Sequence, residues 1–143
     1  MKISFTYLTP ALVLTIALLG GCAENKSANP APLPSGTFSG EFRLLHRTPG
    51  FTNIDTIKAA IQLVLQNGTT FKVLGDTTNL HAGSTGHYSL NGGNLTFQDN
   101  THGGAKTQLN GTYSYFYDGG GALQMVFNSA DTLTLQYDLK KVN

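Results

Sequence analysis

The chain has 143 residues, with nine Lys and Arg against eight Asp and Glu and a formal net charge of +1. That length fits one domain, and an apolar content of 40% supports a core and excludes a disordered chain. The balanced charge lacks the basic footprint of a nucleic-acid binder, and a single cysteine, Cys22, excludes an intrachain disulfide framework.

Lys2 opens the chain with a short positive region, and ALVLTIALL (11–19) is an apolar run of signal-peptide length. It falls short of the ~20 residues that a helix needs to span a bilayer unaided. Leu19-Gly20-Gly21-Cys22 follows directly and resembles the lipobox of bacterial lipoproteins, a leucine and two small residues before a cysteine. The resemblance implies cleavage between Gly21 and Cys22 and acylation of the Cys22 thiol. Acyl chains contribute ~0.8 kcal/mol per buried CH2, so two or three hold a protein firmly on a membrane. The alternative is an ordinary secretory signal with an incidental cysteine. Loss of Lys2 with the leader leaves eight basic residues against eight acids.

Residues 1–21 therefore read as a lipoprotein signal peptide and 22–36 as an acylated cysteine with a flexible tether. Pro30, Pro32 and Pro34 at alternate positions favour an extended, polyproline-like tether. Ala23 stands where aspartate would retain a lipoprotein at the inner membrane. By the same resemblance the expected location is the envelope of a Gram-negative bacterium, lipid-anchored at the outer membrane.

From Gly36 onward the apolar period is two. In the first segment Phe38, Phe42 and Leu44 alternate with Thr37, Ser39, Glu41 and Arg43. In TIKAAIQLVLQ the odd positions Ile57, Ala59, Ile61, Leu63 and Leu65 form the apolar face. Asp55 could cap a short helix there, but the alternation and the following Asn67-Gly68 favour a strand. Leu133, Leu135, Tyr137 and Leu139 give the last segment its apolar face.

The alternation predicts strands at 37–46, 56–66, 69–75, 86–90, 94–98, 109–117, 122–128 and 132–140. Every link is too short for a parallel crossover, so neighbours pair antiparallel. The expected fold of 37–143 is all-β, an eight-stranded antiparallel up-and-down barrel, with a two-sheet β-sandwich as the alternative. Asn67-Gly68, Asn91-Gly92-Gly93 and Asp118–Gly121 make tight turns, whereas 47–55, 76–85 and 99–108 are longer links. The two kinds alternate, so tight turns gather at one end and long loops at the other. The tether joins the tight-turn end, and the loop-bearing rim points away from the membrane.

GTFSGEF (36–42), GHYSLNGGNLTF (86–97), LNGTYSYFYDGGGALQMVF (109–127) and LTLQYDLKKV (133–142) resemble the lipocalin-like, or calycin-like, small β-barrels found as bacterial lipoproteins. The chain departs from lipocalins proper, which carry Gly-x-Trp on the first strand; here it reads Gly36-Thr37-Phe38, and no Trp occurs. The resemblance implies a barrel that binds a small apolar ligand or has no assigned activity.

Candidate ligand-binding residues are Phe51, Tyr88, Tyr113, Tyr115, Tyr117, Phe127 and Tyr137, lining a pocket near the loop end. An interior filled by these same large side chains is the other reading, because eight strands enclose little more than side-chain volume. If Tyr113, Tyr115 and Tyr117 point outward, Phe116 enters the core instead. Phe51 is a lid over the mouth or a plug for it.

His46, His81, His87 and His102 all map towards the loop end, yet none has the spacing of a metal motif. No metal, cofactor or catalytic residue is assigned, since Cys22 is acylated and no GxSxG occurs. The sequence thus predicts a non-catalytic barrel anchored to the membrane through Cys22. It binds a small apolar ligand, or docks onto an envelope partner through its loop-bearing rim.

Overall fold

The computed structural model describes residues 33, 35–50, 52–75, 80–101, 103–129 and 132–142. In β1 (Gly36–Arg47) the rings of Phe38 and Phe42 point inward, fully buried. Alternation continues through β2 (Ile54–Gln66), β3 (Thr70–Gly75), β4 (Ser84–Asn91) and β5 (Asn94–Asp99). It is completed by β6 (Gly111–Tyr117), β7 (Ala122–Ser129) and β8 (Leu133–Val142). No helix occurs among the described residues.

Each strand pairs antiparallel with the next, and β1 also pairs with β8. The sheet is therefore a closed up-and-down barrel rather than a two-sheet sandwich, and closure removes the exposed edges of an open sheet. Phe42 lies opposite Ala59 on one side and Tyr137 on the other. Closure brings β1 hard against β8 at Gly40, where a Cβ would stand 2.1 Å from the Asp138 carbonyl oxygen.

Large rings fill the interior. Phe71 meets Phe97 at 5.0 Å between centroids, Phe97 meets Tyr113 at 5.8 Å, and Tyr113 meets Tyr137 at 5.6 Å. Edge-on contacts of this kind add to the ~1.5–3 kcal/mol that each buried large apolar side chain contributes. Phe116 points out to solvent while Tyr113 and Tyr117 point in, which decides the direction of β6.

Hairpin chemistry sets the tight-turn end. Asn67 (φ 52°) and Gly68 (φ 68°) both adopt the left-handed region that such turns require. In the β6–β7 turn one oxygen of Asp118, Oδ1, accepts from the backbone N–H groups of Gly120, Gly121 and Ala122, each at 2.8 Å. These bonds, Ala122 foremost, hold the Asp118 carboxyl below its usual range. Leu33 packs against the core just before β1 begins at this end.

At the other end β2 outruns its neighbour. Its pairing with β3 begins at Ile61, whereas its pairing with β1 reaches Ile54. Ile57 is consequently exposed although it continues the apolar face of β2, and Ile54 is exposed on the opposite face, across from Arg47.

Candidate functional site

The long loops do not simply ring the mouth of the barrel. Residues 80–82 meet Thr107 in a short parallel bridge, in which Ala82 N–H donates to the Thr107 carbonyl at 2.8 Å. Thr107 N–H returns a bond to Leu80 at 3.0 Å. The crossing is close: a Cβ on Gly103 would stand 2.5 Å from that of Ala82. This brace carries His81 to full burial, with Ala82 and Leu109 buried as well.

His81 packs edge-on to Phe42 at 4.9 Å and to Tyr137 at 5.7 Å between ring centroids. Its Nδ1 lies 2.7 Å from the Ala82 carbonyl oxygen. A carbonyl only accepts, so Nδ1 carries the proton and Nε2 accepts from the Tyr137 hydroxyl, also at 2.7 Å. Burial holds the imidazole below its ordinary pKa, against the opposing pull of the Ala82 carbonyl and the Asp99 charge. His81 is thus a neutral, doubly bonded wedge between brace and core.

Tyr137 is driven well above the ordinary phenol value, first by burial and then by neighbouring Tyr113. Tyr113 is pushed up to about 12, again chiefly by burial. The Tyr137 hydroxyl and the Asn110 backbone bias the ionisation of Tyr113, yet neither completes a hydrogen bond to its buried oxygen. Ser84 Oγ and Asp99 Oδ2 are likewise buried without a partner. Asp99 Oδ1 is engaged by the Thr101 N–H at 2.8 Å and the Thr101 hydroxyl at 2.6 Å. Both tyrosines hold their protons at neutral pH, so the cluster supplies polarity without a charge.

The predicted ligand-binding residues are only partly brought together. Tyr113 contacts Tyr137 and Phe127, and Tyr88 joins them through Phe97. Burial raises the pKa of Tyr88 and, less deeply set, of Tyr115. Tyr117 is remote from the loop end and packs on Phe38 at 6.2 Å between centroids, because β6 runs the full height of the barrel. Phe51 lies outside the described residues, as do His102 and the Gly21–Cys22 cleavage and acylation site. His46 and His87 are exposed while His81 is buried. Among the described residues no three His, Cys, Asp or Glu side chains are grouped to hold a metal ion.

Two features of the outer surface were not legible from the alternation. A hollow of about 400 Å³ at the loop end is lined by Leu45, Arg47, Ile54, Asn128 and Gln136. A second, of about 500 Å³, lies towards the tight-turn end between Ser39, Gly40, Phe116, Ala122, Leu139 and Lys140. The belt between them is polar: Arg43 pairs with Glu41 and, at 3.3 Å, with Asp138, and Lys58 reaches Glu41 at 3.2 Å.

No protein-family model and no curated protein matches this chain.

Proposed function

We propose that this chain is a non-catalytic lipoprotein, anchored at the outer membrane of a Gram-negative bacterium through Cys22, that docks onto an envelope partner by its loop-bearing rim. The observation that carries this reading is the filled interior: Phe42, His81, Tyr113 and Tyr137 occupy it, and braced loops cover them. Side chains already hold the volume that a ligand would need. Outside, Ile54 lines the loop-end hollow at 45% exposure, and Ile57, on the opposite face of the projecting end of β2, is 54% exposed. A strand end that outruns its neighbour and exposes an isoleucine on each face offers a partner both a free edge and apolar surface.

Binding of a small apolar ligand is the second reading, and the unpartnered Tyr113 hydroxyl favours it. A buried phenol normally finds a partner, and a ligand with one polar group would supply it. Entry then requires the 80–82 brace to open.

A photo-crosslinking residue placed at Ile57 in living cells tests the docking reading. The expected result is one adduct of defined mass that disappears when Ile54→Asp is added. No adduct at Ile57, or equal adducts there and at exposed Thr112 on the barrel wall, would overturn it.

A further inference from the structure

We propose that the tight-turn rim rests on the membrane itself, with Phe116 at headgroup depth and Lys140 facing anionic lipid. This rests on the reading of Cys22 as the anchor. Phe116 is the most exposed large hydrophobic residue in the described structure, at 62%, and stands one residue before the end of β6. Val142, ending β8, and Leu90, one residue before the end of β4, are 45% and 40% exposed. All three stand where their strands enter or approach the tight-turn end.

Cations accompany them. Lys140 is exposed and lines the same hollow as Phe116. Lys141 lays its side chain across Gly36, where a Cβ would meet its Cε at 2.9 Å. The acids nearby are already engaged: Asp138 by Arg43 and by Gln124, and Asp118 by three backbone amides. An aromatic ring beside lysines with apolar stems suits the boundary between headgroups and acyl chains.

The loop end also exposes apolar residues, at Ile54, Ile57 and Leu74, but the anchor discriminates between the two. Cys22 stands 11 residues before Leu33, which packs on the core. That length spans at most roughly 36–40 Å fully extended. The tether attaches at the tight-turn end, which places that rim within reach of the bilayer.

The chain contains no tryptophan, so one substitution makes a unique fluorescent probe. Phe116→Trp and Ile57→Trp are purified from bacterial membranes and reconstituted in phosphatidylethanolamine–phosphatidylglycerol vesicles with brominated acyl chains. The Phe116→Trp probe is expected to shift to the blue and lose emission roughly twofold, as a ring at the acyl boundary should. The Ile57→Trp probe is expected to stay water-like and unquenched. Adding Lys140→Glu should reduce quenching at position 116, and replacing phosphatidylglycerol by phosphatidylcholine should do the same. A water-like, unquenched Phe116→Trp probe on acylated, vesicle-bound protein overturns the proposal and leaves the anchor standing. A blue shift without bromine quenching also overturns it, because the ring then packs on protein. Should intact mass show Cys22 unmodified, the anchor reading fails, and the same vesicles are offered to the protein free in solution. Selective quenching at position 116 then supports the rim on its own, and quenching at neither position overturns it.

Discussion

Removing one hydroxyl from Tyr137 and one from Tyr113 should have opposite consequences, although their rings touch at 5.6 Å between centroids. Tyr137 donates to His81 Nε2 at 2.7 Å inside a fully buried site. Tyr137→Phe leaves that nitrogen without a donor, and a buried acceptor so stranded costs about 1–3 kcal/mol. Each kcal/mol shifts Tm by roughly 4–8 °C in a domain of 60–100 residues, so a fall of about 5–20 °C is expected for a slightly larger barrel. Tyr113 carries a buried oxygen with no hydrogen-bond partner. Tyr113→Phe removes that unmet polar group and keeps the ring contacts, so Tm should hold or rise. Thermal unfolding of the two purified variants, followed by far-UV circular dichroism, reads both signs. A loss for Tyr113→Phe as large as that for Tyr137→Phe would refute the reasoning, because the Tyr113 hydroxyl would then have a partner of its own.

His81 gives the barrel a dependence on acid. Its folded pKa is lowered by burial from an ordinary 6.5, so below that value the unfolded chain binds a proton that the folded barrel refuses. Stability is complete above pH 6.5 and falls as pH drops towards the lowered folded value, by up to about 1.4 kcal/mol per pH unit for one proton. Urea midpoints from pH 7.5 to 5 should show this slope, and His81→Phe should flatten it; an unchanged slope would clear His81 of the effect. Gly40→Ala places a methyl 2.1 Å from the Asp138 carbonyl oxygen. Forcing β1 from β8 should cost about 1–3 kcal/mol, measured by the same urea midpoints, and a neutral outcome would show that the seam has slack.

Period-two alternation carried most of the fold because each strand has one face in the core and one in water. It located eight strands but left open which side of β6 faces inward, because Phe116 alternates with tyrosines that are themselves apolar enough for a core. It weakened where inward positions hold no apolar side chain. β4 begins at Ser84, two residues before the expected 86, since buried Ser84 and Gly86 carry no hydrophobic signal. β6 begins at Gly111 rather than 109, because Gly111 (φ 98°) turns the backbone after buried Leu109. The brace was illegible for a different reason. His81 sits in a link without periodicity, and its partner Tyr137 is 56 positions away, a pairing that only the closed barrel creates. Its immediate neighbours, Leu80 and Ala82, were the one local sign that this polar loop turns inward.

Native mass spectrometry of the protein extracted from bacterial membranes tests the account most directly. The predicted mass is that of a chain beginning at Cys22 with acyl groups attached and no further small molecule held in the barrel. A mature chain beginning elsewhere or an unmodified Cys22 would contradict the anchor. A stoichiometric small molecule released on unfolding would contradict the filled interior, and with it the docking function.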